Sequence, residues 1–152
     1  MSAQEDLFDY VNDEIVDAFL APDHSCARFL ISGELAVYPV RIWTRNLLAQ
    51  LQITLPIRIP EGARRDVAEA ICGINYAETI GGFELDFRDG DIRFVVTTFL
   101  EEDRLPKSVW NNLMGAGIST VERFAPAIFS MVYGNESPRE ALTTIGFYDE
   151  SE

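Results

Sequence analysis

Two alternating runs, residues 82–88 and 91–99, are joined by Asp89-Gly90, and that arrangement leaves little choice but an antiparallel hairpin. Asp-Gly is a strong two-residue turn signal because the turn needs left-handed backbone, which glycine adopts without steric cost. The turn predicts Phe87 opposite Ile92, Leu85 opposite Phe94 and Phe83 opposite Val96, with Asp86 meeting Arg93 on the other face. An apolar ladder and a charge pair that agree on one register describe a sheet with one face buried.

The same alternation recurs upstream. Residues 26–32 and 35–45 flank Gly33-Glu34, a two-residue loop that pairs Phe29 with Tyr38 and Ile31 with Ala36. One face then carries Phe29, Ile31, Ala36, Tyr38, Val40 and Ile42. Residues 47–59 form a third strand, with Leu47, Ala49, Leu51, Ile53, Leu55 and Ile57 on one side. Helical spacing occupies the rest. Phe8, Val11, Ile15 and Phe19 form a stripe over residues 3–21, which Pro22 helps to end. Val67, Ile71 and Ile74 mark a second helix over 61–77. A long stripe from Trp110 through Leu113, Val121 and Phe124 to Val132 follows Pro106, with a kink expected at Pro126 and a stop at Gly134-Asn135. Ser137-Pro138 opens a short helix over 138–144. The order is α-βββ-α-ββ-α-α. It predicts an α+β fold with a mainly antiparallel five-stranded sheet and helices on one face.

A chain of 152 residues, 47% apolar, has enough material for one core and is read as a single domain over 1–152. The net charge of −13 argues against nucleic acid and anionic membranes as partners. The acidity gathers in residues 5–17 and in the tail Asp149, Glu150, Ser151, Glu152. The start lacks a basic region followed by an apolar one, and no apolar run reaches 18 residues, so a cytoplasmic protein is expected. Cys26 and Cys72 lack metal or redox spacing and are read as two buried free thiols.

Catalytic templates are absent. His24 is the only histidine and falls in a predicted exposed loop, which excludes a two-histidine metal site and disfavours a triad. Gly115-Ala116-Gly117 lies inside a helical pattern and Gly81-Gly82 precedes a strand, so neither forms a phosphate loop. Glu84 and Asp86 share a strand face beside Arg93 and read as a surface ion-pair group. No enzyme activity, cofactor or metal is expected.

What remains is a surface. Arg28, Arg41, Arg45, Arg58, Arg88 and Arg93, half of the 12 basic residues, fall on the outer sheet face by alternation, together with Leu30, Leu35, Val37 and Trp43. Arginine and tryptophan are frequent anchors of interfaces. The candidate binding residues are Arg28, Arg41, Trp43, Arg45 and Arg58, facing an acidic partner protein or the acidic first helix of a second copy. The same positions also suit an ordinary solvated face whose long side chains shield apolar atoms. A homodimer seam could use the last long helix around Gly115–Ile118 or an exposed sheet edge. The apolar tail residues Ile145, Phe147 and Tyr148 could dock on the chain's own core or on a second subunit. The alternative function is a small-molecule sensor, its ligand held between sheet and helices among the ten phenylalanines.

Asn75-Tyr76, Gly81, Phe83-Glu84-Leu85-Asp86 and Asp89-Gly90, followed by Val132-Tyr133-Gly134, Ser137-Pro138 and Glu140-Ala141, resemble the signatures of the YbjN family. The order of elements is similar over about residues 5–144. The family is labelled as bacterial sensory transduction regulators, and its fold is similar to class I chaperones of type III secretion. The resemblance implies a cytosolic, homodimeric, protein-binding role, regulatory or chaperone-like, and carries over no catalytic residue. Asn75 is expected to cap its helix. The stretch from Pro22 to Arg45 departs most from the family pattern, so the candidate face draws little from the resemblance.

Overall fold

The structure, a computed structural model, describes residues 1–149. The last three residues of the acidic tail, 150–152, lie outside the described residues. Alternation makes the sheet. Strands β1 (Phe19–Leu20), β2 (Cys26–Ser32), β3 (Val37–Arg45), β4 (Leu48–Arg58), β5 (Gly82–Leu85) and β6 (Asp91–Phe99) lie in the order β1-β2-β3-β4-β6-β5. Every neighbouring pair is antiparallel.

The sheet therefore has six strands, not five, and the order of elements gains a strand after the first helix. The extra strand comes from residues expected to be helical. Helix α1 (Ala3–Glu14) starts on a Ser2–Glu5 capping box and stops where Ile15 turns extended. Asp17 then adopts a left-handed φ of 59°, and Phe19 lands opposite Arg28. The buried stripe of α1 is Ala3, Leu7 and Val11, which keeps Val11 of the expected stripe but puts Leu7 inward in place of Phe8, and Phe8 stacks on His24 at 4.2 Å. His24 is thereby half-buried and not a fully exposed loop residue.

Both hairpins sit two positions from the expected register. Phe29 lies opposite Val40 and Ile31 opposite Tyr38, because Gly33 N–H bonds Ala36 C=O and the turn centres on Glu34-Leu35. In the second hairpin Phe83 faces Phe94 and Leu85 faces Ile92, while Glu84, not Asp86, meets Arg93. There the Asp86 and Asp89 carboxylates accept the N–H groups of Arg88 and Asp91, which opens a four-residue loop. A slip of two preserves the side-chain faces, so within the strands the inward set stays as alternation placed it, while Phe87 and Leu47, expected on the inward side, fall outside the strands and are exposed.

Helices α2 (Arg64–Ala77), α3 (Lys107–Tyr133) and α4 (Pro138–Thr144) join α1 on the inner face. Val67, Ile74, Trp110, Val121, Phe124 and Ile128 pack there with Ile42, Leu51, Ile53, Phe83 and Phe94. Helix α3 runs as one element through Pro126. At Gly117 a Cβ would come within 2.8 Å of the Leu51 side chain, so this glycine lets α3 approach the chain's own sheet. The tail also docks inward, with Phe147 edge-on to Phe124 at 5.5 Å.

Polar groups fix α1 in place. Asp6, 2% exposed, accepts two bonds from Arg104 (2.8 and 2.9 Å) and one from the Leu105 N–H (2.9 Å). Trp110 Nε1 donates to Glu14 at 2.7 Å, and the Tyr10 hydroxyl donates to the Leu105 carbonyl at 2.6 Å. Part of the N-terminal acidity is thus internal wiring.

The two edges of the sheet differ. Asn75 does not cap α2. Its side-chain oxygen accepts the Phe83 N–H at 2.8 Å and its amide donates to the Phe83 carbonyl at 2.9 Å, clamping the outward groups of β5. The opposite edge is guarded only by two-residue β1.

Candidate protein-binding face

With all helices on the inner side, the outer face of the sheet is open. Its centre is a belt of bonded polar side chains. Trp43 Nε1 donates to Gln50 at 3.2 Å, and Gln50 donates to Thr97 at 2.9 Å. Gln52 donates to Gln50 and accepts from Arg93, which also holds Glu84 at 2.9 Å. The Arg45 guanidinium lies 5.2 Å from the centre of the Trp43 ring.

The β1–β3 side of this face holds an unusual charge arrangement. Arg28 and Arg41 sit directly opposite each other on β2 and β3. Like charges in that relation repel, and closely spaced cross-strand pairs feel it most. Among the described residues no carboxylate lies within 4.0 Å of Arg28, Arg41 or Arg45. Between them lies a groove of about 370 Å³ lined by Asp17, Phe19, Arg28, Leu30, Pro39 and Arg41. Phe19 is 61% exposed and Leu30 67%. Two guanidinium groups against the one carboxylate of Asp17 leave the groove net cationic, and with its exposed apolar walls it suits an anionic ligand that also has apolar groups.

The other sequence candidates fall elsewhere. Arg58 pairs with Asp89 at 2.7 Å beyond a register break in β4. Arg88 lies in the hairpin loop, not on the sheet face, and grips Asp86, lowering that carboxyl to about 2 mainly through their hydrogen bonds. The Glu84 and Glu78 carboxylates are held by Arg93 and Arg123. The thiols are not both buried: Cys72 points outward from α2, and half-buried Cys26 accepts from Arg41 Nε at 3.5 Å. Two cues missed in the sequence are the edge position of Phe19 and the exposure of Tyr76 and Tyr133, signature residues that pack little. Four further concavities among the described residues open on the outer face, at strand ends or at the β5–β6 hairpin. No described helix is long and apolar enough to cross a membrane.

Relieving the arginine opposition should cost nothing in stability. Arg41→Gln is expected to gain up to about 1 kcal/mol, a rise in Tm of about 1–4 °C by differential scanning calorimetry for a chain of this size. A fall of several degrees would mean that the pair is neutralised within the chain.

The described residues form a helix-backed antiparallel sheet with an open outer face that carries arginines and apolar side chains. The chain belongs to the YbjN family, whose model, described as "Putative bacterial sensory transduction regulator", matches residues 16–130. Helix α1 precedes that match. Among solved structures, a chain of the HopA1–SchA chaperone–effector complex is similar, at 18% identity over 79% of this chain and 89% of that one, with a TM-score of 0.50. At that identity the likeness is one of fold. No curated protein matches the chain.

Proposed function

We propose that this chain is a non-enzymatic protein-binding module, chaperone-like or regulatory, whose partner docks on the outer face at Arg28, Arg41, Trp43 and Arg45. The observation that carries the reading is the opposed, uncompensated pair Arg28–Arg41 beside an exposed apolar groove. An arrangement that is unfavourable in the free chain becomes favourable when a partner supplies carboxylates. Family membership and a fold shared with a chaperone–effector complex support a protein as that partner. Arg58 is left out, since Asp89 already holds it.

The acidic first helix of a second copy fits poorly. Helix α1 packs on the inner side and the arginines point outward, so a two-fold dimer cannot satisfy both contacts at once. Head-to-tail contact would build a ring or an open filament, not a two-fold dimer. The homodimer implied by the resemblance therefore needs another surface.

The test is affinity capture of the tagged chain from its own cells beside the double variant Trp43→Ala, Arg45→Glu, with sedimentation equilibrium of both samples. One or a few proteins captured by the native chain and lost with the variant, at unchanged self-association and Tm, is the expected result. Capture that survives the variant would move the site off this face, and capture of nothing would remove the protein-binding reading.

A further inference from the structure

The backbone ladder shows which groups of β2 face outward. Ser25 C=O accepts from Thr44 N–H and Gly33 N–H donates to Ala36 C=O, so the odd-numbered residues of β2 bond to β3. Cys26 C=O accepts from Ala21 N–H and Arg28 lies opposite Phe19, so the even-numbered residues face the edge. Strand β1 covers that edge only as far as Arg28, because Asp17, in its left-handed conformation, leads the chain away. The N–H and C=O groups of Leu30 and Ser32 are left looking outward with no strand beside them. On the far edge Asn75 occupies the outward groups of Phe83, which leaves Leu85 alone of the β5 residues facing outward, too short a stretch for a ladder.

Three features meet here. The unpaired backbone of Leu30 and Ser32 can extend a ladder. The groove walls Phe19 and Leu30 accept apolar side chains. Arg28 and Arg41 lie next to the same edge on the outer face, uncompensated. A residue added opposite Leu30 projects its side chain to this outer face, beside both the groove and the arginines.

We propose that the occupant is an extended segment of a partner protein, with acidic and apolar residues together at the every-second positions that face outward, that adds to the free half of β2 in line with β1 as a seventh strand. The inference rests on the outer-face reading above and names its ligand. A second copy is excluded as occupant by charge: pairing β2 with β2 brings a second set of unpaired arginines to the seam and joins two chains of net charge −13. In the free chain the Leu30 and Ser32 amides exchange with solvent at unprotected rates, while Phe29 and Ile31 are protected by β3.

The experiment pans a displayed library of random dodecapeptides on the full chain and measures the enriched peptides, made synthetically, by fluorescence anisotropy and amide exchange. Enrichment of sequences carrying Asp or Glu and apolar residues at positions two apart is expected, with slowed exchange at Leu30 and Ser32. Affinity should fall at least tenfold when every second peptide amide is N-methylated, a change that leaves the protein untouched. Leu30→Pro, which removes an outward N–H and no ladder bond, should fall equally. Peptides that bind without protecting these amides, or that tolerate N-methylation in both registers, overturn strand addition. If such peptides still lose binding in Arg41→Glu, the outer-face reading stands and only the strand falls. Absence of enrichment, enrichment of basic peptides, or concentration-dependent protection of Leu30 without peptide likewise overturns the proposal, the last in favour of a second copy.

Discussion

Alanine at Gly90 is expected to lower the unfolding free energy by about 3 kcal/mol, the sum of left-handed strain of about 1–2 kcal/mol and overpacking of about 1–3 kcal/mol. Gly90 has a φ of +79°, where a Cβ is strained whatever its surroundings. Here the surroundings are also closed. The added Cβ would lie 2.2 Å from the Ile59 carbonyl oxygen and 2.9 Å from the Ile59 nitrogen. Both are backbone atoms, and Ile59 N–H donates to Gly90 C=O at 2.8 Å, so neither partner can yield without breaking the contact that ties the end of β4 to the hairpin. The same change at Gly115 provides the contrast. That residue is exposed in α3 with nothing near its absent Cβ, so alanine there should stabilise by up to about 1 kcal/mol through helix propensity. Urea unfolding of both variants followed by two probes reads the difference. A loss below about 1 kcal/mol at Gly90 would mean that strain and overpacking do not both act there.

Removing the Asp6 carboxylate should cost about as much. Asp6→Ala leaves the buried Leu105 N–H without an acceptor and Arg104 without its anion, and breaking such a pair typically costs about 3–5 kcal/mol. Arg104 is half-exposed and water recovers part of its share, which places the expectation near about 3 kcal/mol at pH 7. The pH dependence has a definite sign. The Arg104 hydrogen bonds, aided by the Leu105 N–H and against the penalty of burial, hold the Asp6 carboxyl below its ordinary value. A depressed folded-state value adds stability above the unfolded carboxylate range, near about 4, and that stability is lost as pH falls through the folded value. Asp6→Asn keeps an acceptor for Leu105 and cannot titrate. Its stability should decline less steeply than the native chain's below about pH 4, as acid titration of the urea midpoint would show. Parallel curves would remove Asp6 from the acid response.

Much of this architecture can be read from residue patterns, and the failures have physical causes. Period-two alternation named the inward faces of β2, β3, β4 and β6 because burying one face fixes parity. It could not name the cross-strand partners, which depend on turn geometry. Gly33 and Asp89-Gly90 marked the turns, yet the first centres one residue later and the second is widened by aspartate side chains bonding to nearby N–H groups. The end of α1 was hidden because Ile15 and Phe19 continue the helical spacing while serving other purposes. A two-residue strand such as β1 has no period to detect. The positions of Arg28, Arg41 and Trp43 on the outer face followed from parity, but the opposition of Arg28 and Arg41 follows only from register. Nothing local announces that Asp6 is buried, since its partners come from about a hundred residues away in the chain.

Asn75 has a consequence for solubility at high concentration. A sheet with two bare edges can template itself in both directions and polymerise, whereas one stoppered edge limits contact through sheet edges to a single encounter. Two copies that pair through β2 leave only their β5 edges outward, where Asn75 holds Phe83. Among the described residues, edge-to-edge contact through β2 is thereby limited to a pair, which opposes growth into a fibre.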